Sequence, residues 1–130
     1  MEKVVVHLRD GNLLRGTVAR FPPRGSVFHL TLVPGSTLKQ INLGDVKAVF
    51  FVKEFHGRPG FRESKSFPGS SGSGLSGRVR VLCEDGEVLV GYCPVYHSGQ
   101  AGLFLFPPDR NSNNERVYLV ASAIRKLEFV

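Results

Sequence analysis

The chain repeats itself, and no other feature constrains its fold as much, because self-similar sequences fold as copies of one unit. Lys3-Val4-Val5-Val6-His7-Leu8-Arg9-Asp10-Gly11-Asn12-Leu13-Leu14-Arg15-Gly16 aligns without a gap on Arg78-Val79-Arg80-Val81-Leu82-Cys83-Glu84-Asp85-Gly86-Glu87-Val88-Leu89-Val90-Gly91. The match reaches Phe21 and Tyr96 and resumes with Phe28-His29-Leu30 against Leu103-Phe104-Leu105. It closes with Leu43 through Phe51-Val52 against Leu119 through Phe129-Val130. Ahead of this last stretch the second copy carries the extra residues Asp109-Arg110-Asn111-Ser112-Asn113-Asn114, which read as a longer loop. The units therefore span 1–56 and 78–130. Residues 57–77 connect them, and the second half of that connector is a Gly/Ser linker.

Each unit reads as a small barrel of about five short strands. Val4, Val6 and Leu8 alternate with Val5, His7 and Arg9, a period of two. Asp10-Gly11 then marks a hairpin. A two-residue loop would set Val6 opposite Arg15. A three-residue loop with Gly11 at positive φ sets Val6 opposite Leu14 and places Val4, Val6, Leu8, Leu14, Gly16 and Val18 on one face. The second register is expected, because a slip of one residue turns a core set toward water. By the same rule the second unit presents Val79, Val81, Cys83, Leu89, Gly91 and Cys93. Gly16 and Gly91 sit inside strand patterns, where glycine marks a sharp bend or a close backbone approach.

Phe28–Leu32, Gln40–Leu43 and Ala48–Val52 supply further strands, and 44–47 has room for one helical turn at most. With 15 Gly, 8 Pro and no amphipathic helical pattern, the expected class is all-β. A unit of about fifty residues is marginal alone. The expectation is therefore that Val88, Val90 and Tyr92, apolar on the outer face of unit two, pack on unit one as a pseudo-twofold pair.

The pattern Val4-x-Val6-x-Leu8, Asp10-Gly11, Leu14-x-Gly16-x-Val18-x-x-Phe21, Phe28-His29-Leu30 resembles the first Sm motif. Ile41-Asn42-Leu43-Gly44-Asp45-Val46-Lys47-Ala48-Val49 loosely resembles the second. Sm and Sm-like proteins are bent five-stranded barrels of the SH3-like kind, and the tandem arrangement resembles an uncharacterised bacterial family of paired barrels. The resemblance covers both units and not the connector. Sm proteins that bind RNA use a polar loop after the bent strand, an Asn in the third strand and a basic residue before Gly in the second motif. Here Pro22 follows Phe21, His97 follows Tyr96, His29 and Phe104 occupy the Asn position, and Leu43 precedes Gly44. The usual uridine pocket is thus largely missing.

Enzyme chemistry is not expected. The sequence has no Gly-x-Ser-x-Gly elbow, phosphate loop or His-Glu-x-x-His. His7, His29, His56 and His97 lack ligand spacing, and no cofactor or metal is expected. Cys83 and Cys93 align with Leu8 and Val18 and read as buried apolar side chains. Asp10, Gly11, Asp85 and Gly86 read as turn residues. No apolar run approaches the ~20 residues of a membrane helix, and two cysteines make no disulfide framework. A cytoplasmic location is expected.

Binding is signalled by charge. The net charge of +6 divides into +4 in unit one, +2 in the connector and zero in unit two. Arg9, Arg15, Arg20, Arg24, Arg58, Arg62 and Lys65, with Phe61 and Phe67, are the candidate contacts for RNA or single-stranded DNA. The reading placed first is nevertheless a non-catalytic module that binds a protein partner. Its contact surfaces would be strand edges and the Phe21–Phe28 and Tyr96–Leu103 loops.

Overall fold

The computed structural model describes residues 1–57, 60, 62, 64, 77–94 and 99–130. Ten strands follow in order: β1 Glu2–Leu8, β2 Leu13–Val18, β3 Val27–Leu32, β4 Leu38–Asn42, β5 Val46–Val52, β6 Arg78–Cys83, β7 Val88–Tyr92, β8 Gly102–Leu105, β9 Asn114–Val120 and β10 Ile124–Phe129. Among the described residues the only helical turns are the 3-10 turns Leu43–Asp45 and Ala121–Ala123. The protein is all-β.

The hairpin registers agree with expectation in both repeats. Val6 faces Leu14 and Val81 faces Leu89. Gly11 and Gly86 both take φ of +92°, the left-handed conformation that a three-residue loop requires of its last residue. Asp10 accepts the backbone N–H of Asn12, and Asp85 that of Glu87, so each aspartate closes its own turn. Gly16 pairs with Val4 on one side and Leu32 on the other. A Cβ there would lie 2.3 Å from the Thr31 carbonyl oxygen, and one on Gly91 would lie 2.5 Å from that of Phe106.

Three expectations are corrected. The first concerns the last aligned stretch: the two 3-10 turns equate Leu43 with Ala121, not with Leu119, and β4 starts earlier than expected, at Leu38. The second concerns closure. The strands form a seven-stranded sheet, β4-β3-β2-β1-β5-β9-β8, and a three-stranded sheet, β10-β6-β7, and neither closes on itself. A single bridge between Tyr92 and Phe106 ties β7 to the end of β8.

The third concerns the contact between repeats. Strand β5, fifth of the first repeat, pairs with β9, fourth of the second, from Ala48 opposite Leu119 to Val52 opposite Asn114. A twofold would exchange the same pair of strands in both directions, and β4 does not meet β10. The repeats are related head to tail. Val88 stays exposed. The surface that joins the repeats is instead the outer face of unit one.

That arrangement explains the composition of β5. Val46-Lys47-Ala48-Val49-Phe50-Phe51-Val52 is buried at every position, which is the signature of a strand covered on both faces. Val46, Val49 and Phe51 enter one core with Val4, Val6, Val18, Phe28 and Leu30. Ala48, Phe50 and Val52, with Val5, enter the other core against Val79, Val81, Cys83, Leu103 and Leu119. Unit two therefore borrows part of its core from unit one. Residues 109–114, expected as a loop, extend the seam. The Lys53 N–H donates to the Asn113 carbonyl at 2.8 Å, and the Asn113 side chain bonds the Glu54 backbone in both directions.

Candidate functional site

The connection after β2, with Pro22 and Pro23, and described residues of the connection after β7, with Pro94, Gln100 and Ala101, border one groove. Pro22 and Pro23 cannot donate to a ladder, so the chain after β2 leaves the sheet as a free-standing loop. Pro94 ends β7 in the same way, and Gln100 and Ala101 lead into β8. Between these two segments lies a groove of about 480 Å³. Phe104, Tyr118, Leu103 and Phe106 line it. Of the loops expected as contact surfaces, 21–28 and 96–103, residues Pro22, Pro23 and Gln100–Leu103 line this groove, and 96–98 lie outside the described residues.

The floor is an aromatic cluster. Tyr118 meets Phe104 at 5.1 Å between centroids and Phe21 at 5.0 Å, both edge to face. Phe21 turns its edge to Phe28 and Phe51 as well. This arrangement suits the aromatic quadrupole and holds the rings in fixed positions. Gly102 makes room for it, since a Cβ there would meet the Tyr118 ring at 2.5 Å. Behind the cluster the Arg116 guanidinium lies 3.9 Å from the centre of the Phe51 ring and pairs with Glu2. Burial raises the Tyr118 hydroxyl above the usual phenol range, so it stays protonated at neutral pH. Phe106 is 39% exposed, a large apolar side chain turned partly to water.

A second cluster bridges the repeats and was not visible in the sequence. Lys47 is the only charged residue within β5, and its ammonium reaches Asp85 at 2.7 Å and also contacts Glu87. Burial alone would lower its pKa, but hydrogen bonds to the two carboxylates outweigh this and raise it. The Lys47 hydrogen bond, with the Glu87 N–H, holds Asp85 below the usual carboxylate range. Arg9 donates to the Ser122 hydroxyl beside them. A lone Lys in an apolar run was the available signal, but its partners stand across the repeat boundary.

His7 adjoins this clamp, its ring 4.1 Å from that of Phe50. Burial first, then the Lys47 charge, lowers its pKa. The unfolded chain therefore binds a proton near pH 6.5 that the folded chain refuses. His7 costs no stability above pH 6.5, and stability falls as the pH drops from there through the lowered folded value. His7→Phe keeps a ring on Phe50 and removes the titration. We expect this variant to lose less of its urea midpoint between pH 7 and pH 5 than the wild-type protein does.

Among the described residues the basic candidates do not form one cluster. Arg9 lies in the β1–β2 turn, Arg15 on the exposed side of β2, and Arg20 and Arg24 beyond the far end of that strand. At about 3.3 Å per residue, the length of β2 separates Arg9 from Arg20 by roughly 17 Å or more. Arg62 is exposed, and Arg58, Phe61, Lys65 and Phe67 lie outside the described residues. Cys83 and Cys93 are free thiols in the core, as expected, and burial raises the Cys83 pKa. Among the described residues no three His, Cys, Asp or Glu side chains are grouped to hold a metal, and no helix is long and apolar enough to cross a membrane.

A protein-family model described as a family of unknown function (DUF6982) matches residues 1–130. No curated protein and no solved structure matches the chain.

Proposed function

The chain belongs to that family of unknown function, and we propose that it is a non-catalytic protein-interaction module made of two Sm-like units. The proposed ligand of the groove is an extended, apolar, proline- or aromatic-containing peptide segment. The observation that carries the reading is the groove itself: apolar, floored by Phe104 and Tyr118, and rimmed by prolines from both repeats. Peptides in extended or polyproline conformation dock in aromatic-lined grooves because little chain entropy remains to be lost. Arg20 and Arg24 border the rim loop, so a peptide carrying acidic residues beside its apolar anchor is favoured.

Strand order supports the Sm-like description. In the first repeat the order is β5-β1-β2-β3-β4. The second repeats it as β10-β6-β7, then the Tyr92–Phe106 bridge, then β8-β9. Two buried free thiols suit a reducing compartment, so we place the protein in the cytoplasm.

A displayed peptide library tests the reading. Enriched peptides should carry proline or aromatic anchors, and Phe106→Glu should weaken them by about tenfold or more, a loss of about 1.4 kcal/mol or more. Because Phe106 is partly exposed, its replacement should leave the melting temperature nearly unchanged. Failure to enrich any peptide, or binding indifferent to Phe106→Glu, would overturn the reading. Nucleic-acid binding is the alternative. Tight, salt-sensitive capture of a labelled oligonucleotide, weakened by Arg20→Ala with Arg24→Ala, would replace the peptide with RNA or single-stranded DNA.

A further inference from the structure

Tyr118 is 6% exposed, yet among the described residues nothing bonds its hydroxyl. A buried hydroxyl gives up its bonds to water, and few such groups go without a replacement partner. We propose, on the peptide reading of the groove, that the Tyr118 hydroxyl donates a hydrogen bond to a main-chain carbonyl of the bound peptide, about four residues from the side chain that packs on Phe106.

The strands direct the hydroxyl into the groove. Tyr118 faces Phe104 across the β8–β9 ladder, and its ring leans along β8 as far as Gly102. A Cβ on Gly102 would lie 2.5 Å from Cζ, the ring carbon that carries the hydroxyl. Gly102 does not take a positive φ, so its missing side chain provides space and nothing else. Any other residue there would displace the hydroxyl end of the ring. The hydroxyl oxygen keeps access to solvent, and the space that Tyr118 borders together with Gly102 and Phe104 is the groove.

The two ends of the groove differ in what they can hold. Gly102, Phe104 and Phe106 alternate along one face of β8 and its extension, and all three line the groove. At about 3.3 Å per residue, Gly102 and Phe106 lie roughly 13 Å apart, which is about four residues of an extended or polyproline segment. Phe106, the more exposed ring, takes an apolar side chain at one end. At the other end the phenol is protonated at neutral pH and is therefore a donor. A proline-containing segment suits a donor, because proline offers a carbonyl and no N–H.

Tyr118→Phe keeps the ring of the aromatic floor and removes only the hydroxyl. Its melting temperature should equal or exceed that of the wild-type protein, since an unbonded hydroxyl contributes nothing to the fold. A displayed library of random decapeptides, panned on the full chain, supplies the probes, and enriched sequences are synthesised and titrated by calorimetry. Tyr118→Phe should bind them about tenfold more weakly, the scale of leaving one carbonyl buried without a donor. Exchanging single main-chain amides of the peptide for esters weakens one acceptor at a time. An exchange about four residues from the apolar anchor should lower affinity for the wild-type protein and not for Tyr118→Phe, as a double-mutant cycle requires of a direct contact.

Peptides that Phe106→Glu weakens but Tyr118→Phe binds like the wild type would overturn the hydrogen bond and leave the peptide reading standing. So would a loss in Tyr118→Phe with no ester position to match it. Marked destabilisation of Tyr118→Phe would show that the hydroxyl serves the fold, and would also overturn the proposal. A library that enriches nothing would overturn both the hydrogen bond and the peptide reading.

Discussion

Residues 78–130 expressed alone are expected to remain unfolded, whereas the whole chain melts in one transition. The second core includes Val5, Ala48, Phe50 and Val52, all supplied by the first repeat. Without them, Val79, Val81, Leu103 and Leu119, each 4% exposed or less, would face water on one side. Burying a side chain of this kind stabilises by about 1.5–3 kcal/mol, so losing cover over several is comparable with the roughly 5–15 kcal/mol that holds a whole domain folded. The fragment would also lose β5 as the neighbour of β9, leaving the β8–β9 hairpin linked to β10-β6-β7 mainly through the Tyr92–Phe106 bridge. Circular dichroism of the fragment, alone and mixed with 1–56, gives the test. Folding only in the mixture supports the borrowed core. A cooperative melt of the fragment alone would refute it.

The second large effect is expected at Gly16. Gly16→Val puts a Cβ about where the Thr31 carbonyl and the Leu30 side chain already lie, at 2.3 and 2.8 Å. The Leu30 side chain is fully buried and the Thr31 oxygen is backbone, so neither yields cheaply. The strand would have to straighten, separating β2 from β3. Overpacking of this severity costs about 3 kcal/mol or more, which for a chain of this size lowers the melting temperature by roughly 10 °C or more. Gly25→Ala is the control: nothing lies within 4 Å of a Cβ there, and its melting should stay within a degree or two, as about 0.5 kcal/mol allows. Equal melting of the two variants would show that Gly16 is not a packing constraint.

What could be read from the sequence was local. The facing of Val6 and Leu14 follows from a three-residue turn and an alternating pattern, both contained in fifteen residues. The bends at Gly16 and Gly91 and the burial of Cys83 and Cys93 follow from single positions in such patterns. The seam did not follow, because β5 and β9 are distant in sequence and many strand edges offer the same backbone groups. The unbroken apolar run Ala48–Val52 was legible as a strand, but it named no neighbour. Lys47 escaped notice for the same reason, its carboxylates being in the other repeat. The groove combined two expected loops with a floor no local pattern assembles, since Phe21, Phe104 and Tyr118 come from three separated segments.

The borrowed core has a consequence for synthesis of the chain. The first repeat leaves the ribosome with Val5, Ala48, Phe50 and Val52 on its outer face, before the strands that cover them exist. At typical rates of translation the remaining residues take roughly 4–15 s to emerge. During that interval the nascent protein displays a sticky apolar stripe with no intramolecular mate. The Gly/Ser tether then keeps the arriving second half close by, so that docking competes on favourable terms with capture by a chaperone or a neighbouring nascent chain.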